Sequence, residues 1–412
     1  MNSVSRVVIL LAVSWRLATG FNVLLATMGG TKSHTVPFVA LGNSLKARGH
    51  NVTLLSAFPG PAANNGLREI VPPILEAYVG NYTAEWDLVG ARFRNELPIS
   101  PWDAMRYGWE SCEALLRDET SVSSLRKPEG DPHARWDIVV VDGAFPECLL
   151  GILHGEHVPT IMLNTVALYS GSISRQGNPS PWSVTPYFGK PFTQDMNFFQ
   201  SLLNVACLLT LRLMHWIMIS GYLQPVLRQY LGSQLPDVRD LTTEIPLTLQ
   251  NSHYTVADSV PYLANVVNVA CLHCNPATQL NPDLETFLQR EKLGYALVMD
   301  LAEMSIGNLR EGILKVAAAH NNSYRMAAKK RSKLLRDLPI SPRKLATWWV
   351  EHVAKYKGAE HLKNSARHMN VVRYYSIDVV AFYVITLISV MYGLKKLCWT
   401  TIPKSTVKRK IN

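Results

Sequence analysis

The sequence predicts an α/β fold built on a parallel sheet, and three features of the 412-residue chain carry that reading. Residues 21–26 are a short apolar run, Gly29-Gly30 supplies a turn, a helical pattern follows to Gly49, and residues 52–55 form a second run. Strand, glycine turn, helix and strand within about 35 residues make a βαβ unit, which implies parallel strands and a right-handed crossover. The order then recurs: residues 136–141 read as a strand, 149–154 as a helix and 159–163 as a strand. Residues 245–251 and 266–270 look like further strands. In the first helix Pro37 lies near the first turn, Phe38, Leu41 and Leu45 share one face, and Gly49 closes the element. The turn before it lacks the GxGxxG spacing, which argues against a nicotinamide cofactor.

Ligands of open parallel sheets sit beyond the carboxyl ends of the strands. Two polar residues fall there, His34 after the first strand and Asp142 at the end of a later one. A neutral imidazole can take a proton from an alcohol when a carboxylate holds its other N–H and stabilises the imidazolium. Spacing alone leaves open that His34 is a surface or capping residue. Residues 198–222 are apolar but interrupted by Asn204, Arg212, His215 and Ser220. They read as an amphipathic helix packed on the sheet, the alternative being a patch facing a membrane or a lipophilic substrate.

The net charge of +10 is unevenly placed. Residues 1–305 hold 20 Lys/Arg and 26 Asp/Glu, whereas residues 306–412 hold 21 and 5. A basic excess beside a C-terminal apolar run suits a membrane surface, and no nucleic-acid-binding motif accompanies it. Six cysteines are too few for a disulfide scaffold at this length, and Cys271-Leu-His-Cys274 lacks the second CxxC of a zinc site. It reads as two ordinary lumenal cysteines.

The ends carry targeting patterns. Arg6, the apolar stretch 7–13 and the small residues Ala18-Thr19-Gly20 form a signal peptide, residues 1–20. Residues 379–394 carry no charge, and a single transmembrane helix is expected over 377–394, followed by a basic cytosolic tail, 395–412. Lys408 and Lys410 resemble a dilysine retrieval signal of endoplasmic-reticulum membrane proteins, so a single-pass type I protein of that membrane with a lumenal body is expected. Sequons at Asn51, Asn81 and Asn321 agree with a glycosylated lumenal body.

Taken together, the motifs resemble the membrane-bound UDP-glycosyltransferases of animals, the group of the glucuronosyltransferases and the insect ecdysteroid glycosyltransferases. Lys32-Ser33-His34 is similar to the segment with that family's catalytic histidine, and Asp142-Gly143-Ala144-Phe145-Pro146 to the segment supplying its partner. Gln250-Asn251-Ser252-His253, Cys271-Leu272-His273-Cys274, Leu335-Arg336-Asp337-Leu338-Pro339 and residues 346–358 resemble further family segments, so the likeness covers nearly the whole chain. The resemblance implies a GT-B-like architecture: an acceptor-binding Rossmann-like domain over 21–265, a second Rossmann-like lobe, and C-terminal helices over 346–376. It also implies inverting transfer of a hexose or hexuronate from a UDP-sugar to a hydroxyl of a small lipophilic acceptor. His34 would be the base and Asp142 its partner, with the UDP-sugar as co-substrate and no resident cofactor or metal.

One block of the family pattern is missing. The donor signature, with its Thr-His-Gly-Gly turn and Asp-Gln pair, has no counterpart, and neither His-Gly-Gly nor Asp-Gln occurs in the chain. Residues 285–289 resemble the linker before that signature and residues 290–296 the segment just after it. The two are joined directly, about a hundred residues short of a doubly wound domain. Residues 266–345 are therefore expected to be a truncated remnant of the donor domain. Without a turn presenting backbone N–H groups to a diphosphate, the isolated chain is expected to be catalytically silent. The alternatives are a working enzyme whose degraded donor site is completed by a partner subunit, and a non-catalytic lumenal binder or regulator that associates with full-length family members.

Overall fold

The computed structural model describes residues 20–29, 31–60, 66–84, 86–94, 96–97, 99–128, 134–165, 171–187, 189–190, 192–253, 259–275, 304–317 and 323–401. The expected signal peptide as far as residue 19, the junction at Gln289-Arg290, Asn321, Lys408 and Lys410 lie outside them.

Seven strands form one parallel sheet: β1 (Asn22–Ala26), β2 (Asn51–Leu55), β3 (Arg68–Ile70), β4 (Ile138–Asp142), β5 (Thr160–Asn164), β6 (Thr248–Gln250) and β7 (Val266–Asn268). Their order is β3-β2-β1-β4-β5-β6-β7, and every neighbouring pair is parallel. The chain thus winds outward from β1 in one direction to β3 and in the other to β7. Consecutive side chains of a strand point to opposite faces, and both faces are apolar here. Leu24, Ala26, Leu55, Val139, Val141 and Met162 pack into one core cluster. Val23, Leu25, Leu54, Ile138, Val140, Ile161 and Leu163 pack into the other. Burial on both faces explains why these strands read as continuous apolar runs.

Helix α1 (Lys32–Ala47) covers the second face through Phe38, Leu41 and Leu45. The first face carries α2 (Pro101–Leu116), started by Ser100 accepting from the Asp103 N–H with Pro101 in the first turn, and the short α3 (Glu147–Ile152). Next comes α4 (Phe198–Ile217), which continues through a π-helical turn, Met218–Leu223, into α5 (Gln224–Leu231). Helix α4 opens with a capping box between Asn197 and Gln200. Its polar interruptions face inward: Asn204 accepts from the Tyr187 N–H and donates to the Trp182 and Thr185 carbonyls. The opposite face, with Phe198, Phe199, Leu202 and Leu213, is exposed. Amphipathic packing holds for α4, although its contacts run to α2 and the first core cluster rather than to the strands alone.

Helix α6 (Pro342–Lys355) packs on α1. Ala346, Val350 and Val353 join the second cluster, the Thr347 hydroxyl donates to the Ser44 hydroxyl at 2.8 Å, and Glu351 binds both Arg48 and His50. The Arg343 guanidinium donates to the Leu272 carbonyl, tying α6 to the turn after β7. Residues 365–412 form a separate compact unit that contains α7 (Ile377–Thr401), of which Ile377–Leu397 is long and apolar enough to cross a membrane.

Four of the six cysteines pair, Cys112 with Cys148 and Cys271 with Cys274, and Cys207 is free. The CxxC therefore closes on itself rather than serving as two separate thiols. Cys271 sits at φ 66°, a left-handed conformation that turns the chain back toward Cys274.

Candidate functional site

Helix α1 begins one residue after Thr31, so His34 stands in its first turn, beside the carboxyl ends of β1 and β4. Asp142 is the last residue of β4. The fold brings them together: His34 Nδ1 lies 2.9 Å from Asp142 Oδ2. The aspartate is buried, while the imidazole keeps 14% of its side-chain surface open to solvent.

Two threonines complete the arrangement, and sequence reading did not single them out. The Thr27 hydroxyl, one residue beyond β1, donates to Asp142 Oδ2 at 2.8 Å. The Thr165 hydroxyl, one residue beyond β5, donates to Asp142 Oδ1 at 3.2 Å and lies 2.8 Å from His34 Nδ1. The Ala144 backbone N–H donates to the same Oδ1. A carboxylate offers about four acceptor positions, and here all of them face donors. Because a carboxylate oxygen can only accept, the contact between His34 Nδ1 and Asp142 Oδ2 assigns the ring proton to Nδ1, and the Thr165 oxygen can accept from the same N–H. Nε2 is then left with its lone pair. That is the state a general base needs.

Gly29 makes the approach of the histidine feasible. A Cβ placed there would sit 2.2 Å from His34 Cγ and 2.4 Å from Nδ1. Gly29→Ala is therefore expected to push the imidazole out of register with Asp142. The measurement is the His34 side-chain nitrogen NMR signal, and an unchanged signal would refute a steric role for this glycine.

Behind the Asp142 loop lies a second titratable pair. Glu147, fully buried at the start of α3, faces His215 of α4 with Oε1 and Nε2 3.5 Å apart. That separation is too long for a hydrogen bond, and neither carboxyl oxygen of Glu147 has a hydrogen-bond partner among the described residues. Burial pushes Glu147 up to about 7. Burial, with Arg175 and Arg239 nearby, pulls His215 down to about 3. Although the distance would allow an ion pair, both directions favour neutral groups. In the unfolded chain the carboxyl loses its proton near 4.5 and in the fold near 7, so unfolding releases a proton between those values and stability falls as pH rises. Glu147→Gln is expected to remove that slope. Over pH 4 to 8 the variant should gain about 3 kcal/mol relative to the parent, at 1.36 kcal/mol per unit, read from unfolding midpoints. A constant difference across that range would refute the assignment.

The remaining sequence-predicted positions lie elsewhere. Asn51 is exposed at the start of β2 with its side-chain amide donating to Asn22 Oδ1, and Asn81 is exposed near the end of the helix Pro73–Thr83. His253 is buried after β6. A cavity of about 360 Å³ lined by Leu150, His154, Thr160, Pro246 and Lys363 opens at the amino ends of β5 and β6. It lies at the opposite end of the sheet from the dyad.

Comparison with known proteins follows the same lines. The family described as "UDP-glucoronosyl and UDP-glucosyl transferase" matches in two segments, residues 31–319 and residues 290–411. UDP-glucosyltransferase 2 of Dactylopius coccus is 19% identical over 475 aligned positions, covering 87% of this chain and 89% of the relative. UDP-glucuronosyltransferase 2C1 of Oryctolagus cuniculus is 34% identical over 493 positions, covering 89% and 95%. Among solved structures, the glycosyltransferase SnogD from Streptomyces nogalater is similar over 81% of this chain and 99% of its own, at 13% identity and a TM-score of 0.34. In the first of these alignments, 87% of 412 residues is about 358, so about 117 of the 475 positions have no counterpart in this chain.

Proposed function

Because the chain belongs to the UDP-glucuronosyl and UDP-glucosyl transferase family, we propose that it carries the acceptor-activating half of a hexosyl transfer and lacks a donor site of its own. The observation that carries the first part is the arrangement of His34, Asp142 and Thr165, with Nε2 of the histidine left as the base. In the complete reaction a hydroxyl of a small lipophilic acceptor would give its proton to Nε2. Asp142 would hold and stabilise the imidazolium. The acceptor oxygen would then bond to the anomeric carbon as the bond to the UDP oxygen breaks, UDP leaving with the electron pair and the configuration inverting.

The second part rests on the other half of that exchange. A departing diphosphate needs aimed backbone N–H groups or cations, and the family's sequence for that cradle does not occur between residues 285 and 296. The two family segments meet and overlap at residues 290–319, and about 117 aligned positions are missing, which supports the same junction. Titration of the full chain in detergent with UDP and with UDP-glucose is expected to give no saturable binding. Micromolar affinity would overturn the proposed silence.

The helix Ile377–Leu397 supports a membrane span, and the two disulfides support a body in an oxidising compartment. Phe198–Leu231 is also long and apolar enough to cross, and we read it as part of the body because Asn204, Leu211 and His215 on it are buried. We place that body in the lumen of the endoplasmic reticulum, with the basic tail in the cytosol. Protease protection of the body in sealed microsomes, with a cleavable epitope at the tail, checks this orientation.

A further inference from the structure

A cluster of aromatic and imidazole rings at the end of α6 takes no part in the site described above. After α6 the chain reverses through Lys357, Gly358 and Ala359, whose φ values are 47°, 106° and 46°. Glycine adopts this region freely, whereas Lys357 and Ala359 do so at about 1 kcal/mol or more each. The reversal carries His361 back to the last turns of α6, where its Nε2 lies 3.3 Å from Nε2 of His352. The rings are backed by aromatic neighbours. His352 stacks on Trp348 at 4.9 Å and meets Tyr356 at 4.7 Å, and His361 stands perpendicular to Tyr356. Their facing nitrogens are exposed to solvent.

We propose that His352 and His361 form a two-imidazole site for a divalent transition-metal ion. Zinc binds imidazole nitrogen at 2.0–2.1 Å, and tetrahedral ligation at that length places two such nitrogens about 3.3 Å apart. The separation of the two Nε2 atoms is 3.3 Å. A shared proton also spans that distance, so the spacing suits an N–H···N hydrogen bond in the metal-free pair and a bridging ion when one binds. Imidazole suits Zn(II), Ni(II) and Cu(II), and not Mg(II) or Ca(II). No third His, Cys, Asp or Glu joins the pair among the described residues. Glu351 is engaged by Arg48 and His50, and Glu360 by Lys363. Water therefore completes the coordination, and the ion exchanges. Once bound, it clasps the left-handed reversal onto the helix that packs against α1.

The test uses the untagged full chain in detergent, titrated calorimetrically with zinc chloride alone. One equivalent is expected to bind, and His352→Ala and His361→Ala are each expected to weaken that binding by about tenfold or more. His253→Ala, beyond the carboxyl end of β6 and so at the other end of the sheet from the reversal, should leave it unchanged. Zinc binding equal to the parent's in either of the first two variants, or none in the parent, overturns the proposal. A measurement on the parent alone guards against variants that fold poorly. With one equivalent of copper(II), the electron paramagnetic resonance spectrum should show coupling to two imidazole nitrogens, and its absence also overturns the site.

Discussion

With the missing donor segment of a full-length relative grafted between Gln289 and Arg290, His34→Ala is expected to lower kcat/KM by about 10²–10⁴-fold against the grafted parent. An alcohol is a poor nucleophile until its proton has somewhere to go, and among the site residues only Nε2 of His34 has a lone pair left for it. Each oxygen of Asp142 already faces donors from Thr27, Thr165, Ala144 or His34, so the carboxylate has no capacity to replace the base. Asp142→Asn tests the second half of the pair. An amide nitrogen in that position would face the same donors without accepting from them, and the imidazolium would lose its countercharge. The loss should fall in kcat more than in KM, because the charge develops only during transfer. A grafted His34→Ala enzyme within threefold of its parent would sink the assignment. The ring proton offers a check that needs no graft: nitrogen NMR of the native chain should show His34 protonated at Nδ1.

The strands were legible because burial on both faces leaves a continuous apolar run, as in residues 138–141, and because a polar residue ends it. Where prediction and structure differ at strand edges, the cause is local. Residues 245–251 read as one strand, yet the ladder begins only at Thr248, since Pro246 has no N–H to give it. β3 escaped notice because Arg68-Glu69 masks three residues of pairing with β2. His34 and Asp142 could be found because the rule for strand ends points to both. Thr165 obeys the same rule, but a threonine carries no signal of its own, and its partner His34 is 131 positions away. Thr27 is hidden for the same reason, 115 positions from Asp142. Glu147 and His215 look like ordinary polar residues of two helices until tertiary packing takes both from water.

The second large effect expected is on stability. Cys112 of α2 and Cys148 of α3 are both fully buried, and their disulfide closes a loop of 36 residues that contains all of β4 and therefore Asp142. In the chain-entropy account a cross-link narrows the unfolded ensemble, by about 3 kcal/mol for a 15-residue loop and about 4.7 for 100. A loop of this size is worth roughly 4 kcal/mol on that scale. Cys112→Ala/Cys148→Ala should therefore unfold at markedly lower temperature or denaturant than the parent, and reductant should bring the parent close to the variant. The pair Cys271–Cys274 spans three positions, so the same entropy gives it less than half that effect. Comparing the two double variants separates loop closure from any general cost of losing buried sulfur. Equal losses would contradict the loop-length argument. A larger loss for the short loop would reverse it, and would mean that the turn after β7, to which Arg343 of α6 is bonded, holds the fold together more than the link beneath Asp142 does.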